Sequence, residues 1–411
     1  MNKPDHSPSR SPRPLPILLL LAAVVLLAIN MRAPLVALGP VVNFIHRDLG
    51  VSGSFMGMIA ALPMLAFALF SPLASKLAAK FGIENVLVYS LIMLLIGILI
   101  RSIWPAAWAL TLGTAVLSAA IAMSNVLVPA LAKRSLPSHI SLVISTMSTT
   151  MSLAAAIAAA SSVPLTQHHG WQWALGIWGV PVLIALAVWL HIRRISPEVT
   201  TQVQKSSGGL NVWRISASWY ISLYMGMQSL MFYSLVNFLP SVLIEKGLTP
   251  VAAGAYISLL QISSLPGAIA VPTLFTRSRH RQSFSLFIGS LMLIGALGIW
   301  LAPVSTTWIW IVCAGLGTSG AFGASLMLFA LRTDKTSEAA SLSGMAQSVG
   351  YTVAIFGPLG MGMLYDLFGS WVPAMGALTA LMTVECVMAW LAADSRTLTQ
   401  IKSQRDNKKV V

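Results

Sequence analysis

Acidic residues are scarce in this sequence: 11 Asp and Glu among 411 residues, against 25 Lys and Arg. Charged residues together make up 9%, where soluble domains carry about 25%. That scarcity excludes an ordinary soluble fold, whose surface needs charge. Cysteine is rarer still. Cys313 and Cys386 both fall inside apolar segments, which excludes a disulfide framework. No Cys/His cluster has metal-ligand spacing, and the adjacent His168 and His169 have no further ligands in evidence, so neither a metal nor a cofactor is expected. The Walker-type phosphate loop is absent, which argues against an ATP-driven pump. No nucleophile–base pair falls inside an apolar run, so an enzyme is not expected either.

What is present is apolar sequence. It makes up 56% of the chain, with a mean hydropathy of +0.81. A bilayer core needs about 20 such residues per helix. Twelve segments qualify, at roughly 15–43, 54–75, 84–103, 106–131, 139–163, 172–192, 213–243, 252–275, 283–302, 307–331, 338–364 and 371–393. The chain therefore reads as an all-α polytopic membrane protein. The first run is too long for the apolar region of a signal peptide and shows no small-residue cleavage site. It reads as an uncleaved span behind a basic cytoplasmic tail, 1–14. A polar stretch with Ser206-Ser207-Gly208-Gly209 divides the chain near its midpoint.

The net charge of +14 would suggest nucleic acid in a soluble protein. Here the basic residues lie between the apolar runs, so membrane topology accounts for them and no nucleic-acid partner is expected. With the N-terminus cytoplasmic, 21 of the 25 Lys and Arg fall on the cytoplasmic side. Arg47, Arg101 and Lys246 fall outside, and Arg32 falls within the first span. This is a strong positive-inside bias, and it places both termini in the cytoplasm.

The two halves echo each other. Leu38-Gly39-Pro40 ends span 1 as Leu239-Pro240 ends span 7, and Arg134 after span 4 matches Arg332 after span 10. Parallel six-span halves mark one class of secondary transporter, with the solute site at the midplane between them. The expected organisation is a six-helix bundle over 15–192, a cytoplasmic linker over 193–212, a pseudo-symmetric bundle over 213–393, and a cytoplasmic tail over 394–411.

These features resemble the major facilitator superfamily. Its loop signature after span 2 is degenerate here: Leu77-Ala78-Ala79-Lys80-Phe81-Gly82 keeps the basic residue and the glycine, with Ala79 where an aspartate is usual. Within the superfamily the chain resembles the cyanate and nitroimidazole transporter branch. The stretches that carry this are Asn30-Met31-Arg32-Ala33-Pro34, Ser71-Pro72-Leu73-Ala74, Gly226-Met227-Gln228-Ser229 with Phe232-Tyr233, and Leu342 to Tyr351. The resemblance implies a monomer in the bacterial inner membrane. It also implies that spans 1, 4, 7 and 10 line a central cavity flanked by spans 2, 5, 8 and 11. Lys80, Gly82, Arg134 and Arg332 are then expected at the cytoplasmic gate.

Polar groups at membrane depth are costly and so nominate a site. Arg32 lies sixteen residues past Pro16, roughly 24 Å along a helix. Two roles fit it: snorkelling to the outer interface, or binding an anionic or dipolar solute through its planar donor fork. Pro34 favours the second, because it frees the carbonyl of Asn30 four residues back. Glu385, in span 12, is the acid well inside a span; the resemblance implies that span 12 is peripheral, so Glu385 reads as a structural partner or interfacial residue rather than a proton carrier. Arg32 thus lacks an obvious counter-ion. Gln228 and Tyr233 in span 7, Asn125 in span 4, and Gln347 and Tyr351 in span 11 complete the candidate substrate-binding set with Asn30 and Arg32. Gln261 is a weaker candidate. The Ser/Thr run 145–150 and the Gly-rich run 315–320 read as close-packing surfaces between helices.

The functional expectation is a secondary or facilitative transporter of a small anionic or dipolar solute, such as cyanate, a small carboxylate or a nitroheterocycle, working by alternating access in the bilayer. Efflux of drug-like or heteroaromatic compounds is the alternative, and a non-transporting receptor is a remote one.

Overall fold

The computed structural model describes residues 17–51, 53–195 and 210–410. The expected N-terminal tail and residues 196–209 of the linker lie outside them. Among the described residues there are fifteen α-helices and no strands. They are α1 (Ile17–Val36), α2 (Val42–Leu49), α3 (Gly53–Phe81), α4 (Ile83–Ile103), α5 (Ala107–Ser135), α6 (Ile140–His169), α7 (Trp171–Gly176) and α8 (Gly179–Ile195). After the linker come α9 (Ser216–Glu245), α10 (Pro250–Arg277), α11 (Arg281–Leu301), α12 (Thr307–Leu331), α13 (Thr336–Phe368), α14 (Val372–Ala392) and α15 (Leu398–Val410). Twelve stretches are long and apolar enough to cross a membrane, as the hydropathy predicts. Long apolar side chains such as Leu18, Leu69, Ile157 and Phe356 are exposed, a surface suited to lipid rather than water.

The helix pairings repeat. In the first half α1 packs on α6 and α8, α3 on α5, and α4 on α5 and α8. Six spans later α9 packs on α13 and α14, α10 on α12, and α11 on α12 and α14. The halves meet chiefly where α3 lies against α13 and α6 against α10. The most enclosed spans are α5, 89% buried over its most apolar window, and the span carried by α12, at 72%; every other span is at or below 50%. These two helices occupy equivalent places in the repeat, so they form the interior of the molecule.

Small residues set the closest approaches. A Cβ on Gly226 of α9 would lie 3.0 Å from the Cα of Gly350 on α13. At Gly315 of α12 it would lie 2.7 Å from the Leu260 carbonyl of α10. The Gly-rich run 315–320 is therefore a packing surface, as its composition predicts. Hydroxyls stitch helices together as well: Ser319 Oγ of α12 donates to the Ser264 carbonyl of α10 at 2.5 Å, and Ser145 Oγ of α6 to the Ile269 carbonyl of α10 at 2.9 Å.

Several expectations need correction. The first apolar run is broken: α1 ends two residues after Pro34, and a 3-10 turn, Gly39–Val41, leads into the short α2. Proline has no N–H to continue the ladder, and Gly39-Pro40 cannot restart it. Lys80, expected in the loop after span 2, stands on the last turn of α3. Gly82, at φ +84°, makes the sharp turn into α4. Arg101, expected outside the membrane, is fully buried in the last turn of α4 and none of its guanidinium nitrogens has a hydrogen-bond partner among the described residues. Arg332, expected just after span 10 at the cytoplasmic gate, is 1% exposed. His168 and His169 end α6, with ring centroids 6.3 Å apart.

Candidate functional site

A cavity of about 50 Å³ opens between helices of both halves. Arg32 enters from α1. Ser148 and Met151 come from α6, Gln228, Phe232 and Tyr233 from α9, Gln261 from α10, Thr318 and Phe322 from α12, and Tyr351 from α13. Spans 1, 5, 7, 8, 10 and 11 thus line it. Four members of the candidate set, Arg32, Gln228, Tyr233 and Tyr351, meet here, together with the weaker candidate Gln261.

Arg32 lies where α1 nears its proline. Its guanidinium carbon stands 4.8 Å from the centroid of the Phe232 ring, a cation–π distance. It forms no ion pair: among the described residues the salt bridges are Arg134–Glu84 and Arg396–Asp394. Among the described residues no carboxylate lines the cavity. Stacking on Phe232 leaves the edge donors of the planar fork free.

The other side chains are held in place. Gln228 is 3% exposed, and its Nε2 donates to Ser229 Oγ at 2.6 Å. Its Oε1 is left to accept from something else. Tyr351 stacks obliquely on Phe67, with centroids 4.6 Å apart, and Tyr233 meets Phe232 edge-on at 5.3 Å. Phe232, Tyr233, Tyr351 and Phe322 therefore make an aromatic wall around one cation, with hydroxyls and an amide at its margin.

The remaining candidates lie elsewhere. Asn30 is fully buried, and its Nδ2 donates to the Leu26 carbonyl at 2.7 Å. Asn125 is 4% exposed within α5. Gln347 Nε2 donates to Ser343 Oγ at 2.9 Å. None of the three lines the cavity. Sequence reading missed Phe322 and Ser148, since an aromatic or a serine in an apolar run carries no sign of which way it faces. Tyr224, one turn before Gln228 on α9, is fully buried and absent from the lining.

The candidate gate residues sit at helix ends. Lys80 Nζ stands 5.0 Å from the Phe81 ring centroid. Arg134, at the end of α5, makes a two-pronged ion pair with Glu84 at the start of α4, one prong at 3.2 Å. Arg332 Nη1 donates to the carbonyls of Ala392 at 2.9 Å and Asp394 at 2.6 Å, fastening α12 to the end of α14. Burial lowers this guanidinium from its ordinary value to about 10, with Asp394 acting against the shift, so it is charged at neutral pH.

Residues 18–358 match the family model described as Major Facilitator Superfamily. The chain belongs to the Major Facilitator Superfamily. It is a multi-pass membrane transporter, as the superfamily's architecture and its relatives' names agree. Among superfamily relatives it is 36% identical over 394 residues to the uncharacterized transporter YycB of Bacillus subtilis (strain 168), covering 94% of this chain and 96% of the relative. It is 33% identical to the 2-nitroimidazole transporter of Escherichia coli (strain K12), covering 89% of this chain and 94% of the relative. It is 26% identical to the cyanate transport protein CynX of the same organism, over 86% and 91%. The resemblance to the cyanate and nitroimidazole branch is borne out. In fold it is similar to the superfamily's proton:xylose symporter XylE, with a TM-score of 0.77 at 11% identity, covering 94% of this chain and 98% of that one.

Proposed function

We propose that the chain moves a small, planar, anionic or strongly dipolar solute across the membrane by alternating access, and that Arg32 anchors the solute. One observation carries this reading: among the described residues the guanidinium faces a cavity without a carboxylate, with the Phe232 ring at cation–π distance and no ion-pair partner. A cation at membrane depth needs a compensating charge, and an anion or a strong dipole in the cavity supplies it. Gln228 and the hydroxyls of Tyr233 and Tyr351 are assigned the solute's polar rim, and Phe232 and Phe322 its faces. Cyanate, small carboxylates and compact nitroheterocycles share this chemistry, and two relatives are named for cyanate and 2-nitroimidazole.

The aromatic wall also suits outward movement of heteroaromatic compounds, so import and export share one site. The repeated helix pairings support six-helix bundles over 15–192 and 213–393, joined by the linker. The positive-inside bias supports cytoplasmic termini, and the bacterial relatives support the inner membrane. Lys80, Gly82, Arg134 and Arg332 are assigned to the cytoplasmic face, and a monomer suffices because both halves of the site come from one chain.

The test is thermal stabilisation of the purified protein by cyanate, small carboxylates and 2-nitroimidazole, set against large hydrophobic cations, on wild type and on Arg32→Ala. Stabilisation by the first group, lost in the variant, is expected. Preference for the cations, or stabilisation retained without Arg32, would overturn the reading.

A further inference from the structure

Glu385 is the membrane-depth carboxyl that the cavity does not use. It lies on the inward face of α14, 0% exposed, inside a candidate span. Neither of its oxygens has a hydrogen-bond partner among the described residues, and no ion pair includes it.

Three helices converge on it. On α11 a Cβ at Gly289 would lie 2.6 Å from Glu385 Oε2, so the carboxyl occupies the space that a side chain would take. One turn earlier on α11, the Ser285 hydroxyl is buried and unpartnered. From α9 comes Tyr224, fully buried, its hydroxyl beside that of Ser285 and within electrostatic range of Glu385. Cys386, next to it on α14, is the neighbour whose thiol lies nearest to donating to the carboxyl. Helix α13 also packs on α14, but its titratable groups face elsewhere. Tyr351 lines the cavity, Glu338 caps the helix start, Tyr365 stacks on Trp371, and Asp366 is exposed. The one Lys or Arg on these four helices is Arg281, at the first residue of α11 and roughly 12 Å along the helix from Gly289.

An ionised carboxyl in this place has no counter-ion, and its neighbours are neutral groups, the Cys386 thiol and the Tyr224 and Ser285 hydroxyls, too little to hold its charge at membrane depth. A proton removes the charge. We propose that Glu385 is a proton-binding site, housed among α9, α11 and α14 away from the solute cavity, and that its proton is the coupling ion of transport. The second half of this proposal rests on the transport reading above. When carboxylate and proton combine, the site becomes neutral, and a proton travelling with a monovalent anion makes the net charge moved zero. Membrane potential, worth about 2.3 kcal/mol per elementary charge per 100 mV, then no longer opposes entry. Helix α9 supplies the link. Tyr224 faces Glu385, and one turn on, Gln228 faces the cavity, followed by Phe232 and Tyr233. A shift of α9 on solute engagement changes the surroundings of Glu385.

Infrared difference spectroscopy on the full chain in lipid tests this, with cyanate as the probe. Wild type is expected to show the carbonyl-stretch band of a neutral carboxylic acid at neutral pH. That band should be lost in Glu385→Gln, shift in deuterated buffer, and move when cyanate is added. Glu385→Gln keeps the shape of the side chain and should still be stabilised thermally by cyanate. Absence of a band assignable to Glu385 overturns the proton site. A band that stays fixed while cyanate stabilises the protein overturns the coupling role. If cyanate gives no stabilisation, the solute reading fails, while the presence or absence of the band still decides whether Glu385 holds a proton.

Discussion

At the scale of single residues the decisive group is Arg32. A charge-assisted hydrogen bond contributes about 1.5–3 kcal/mol, which corresponds to roughly a 10- to 100-fold change in affinity. Arg32→Ala is expected to weaken solute binding by at least about 10-fold, with membrane expression unchanged. Arg32→Lys is expected to be nearly as damaging, because an ammonium has neither the planar fork nor the same stacking on Phe232. Titration of thermal stability against cyanate reads both, and full affinity in the lysine variant would show that charge alone suffices. The sequence exposed Arg32 because one cation stood inside an unbroken apolar run. Arg101 was hidden, since it stood at the edge of a run, where a last helical turn and a loop look alike. Gln228, Tyr233 and Tyr351 were found because polarity in an apolar helix is conspicuous. Asn30, Asn125 and Gln347 were equally conspicuous, yet the amide nitrogens of Asn30 and Gln347 donate within their own helices. Polarity marks a candidate, and the rotational position of the helix decides whether it reaches the cavity.

At the scale of helices the site depends on how α9 meets α13. Gly226 and Gly350 let these two approach closely, and the same pair of helices presents Gln228 and Tyr233 on one side and Tyr351 on the other. Gly226→Leu is expected to force them apart. Overpacking of this kind costs about 1–3 kcal/mol, and it should lower the unfolding temperature in detergent while weakening cyanate stabilisation. A variant with wild-type values for both would mean that the crossing has slack. Gly226→Ala is the graded control: its Cβ meets the Cα of Gly350 at 3.0 Å, so a smaller loss is expected. The small-residue stripes were legible as packing surfaces from composition alone. Which stripe faces which helix was not, because that depends on the bundle and not on local sequence. The break after Pro34 was partly legible, in the Pro34 and Gly39-Pro40 signals, but hydropathy carried the run straight through it.

At the scale of the whole molecule, alternating access requires the two halves to part at one end while they close at the other, so a contact that ties them at one end biases the balance. Lys133, at the end of α5, reaches across to the end of α12. Its ammonium donates to the Ala330 carbonyl at 2.8 Å, to Thr333 Oγ1 at 3.1 Å and to the Thr333 carbonyl. The carbonyl end of a helix carries partial negative charge, which favours a cation there. The tie is one-sided. By the Arg134–Arg332 correspondence, the place of Lys133 in the second half is taken by Leu331, which has no donor to return. Nothing in the sequence marks Lys133 as different from the other basic residues at helix ends, because its partners are backbone carbonyls about 200 residues away. Lys133→Ala removes a charge-assisted contact of about 1.5–3 kcal/mol, and an equilibrium between closed and open ends should shift by roughly 10- to 100-fold toward opening at this end. Spin labels placed at Ser135, the last residue of α5, and Lys335, the residue before α13, would report this as a longer distance population in the variant. An unchanged distance distribution would mean that the packing of α3 on α13 and α6 on α10 holds this end shut without the lysine.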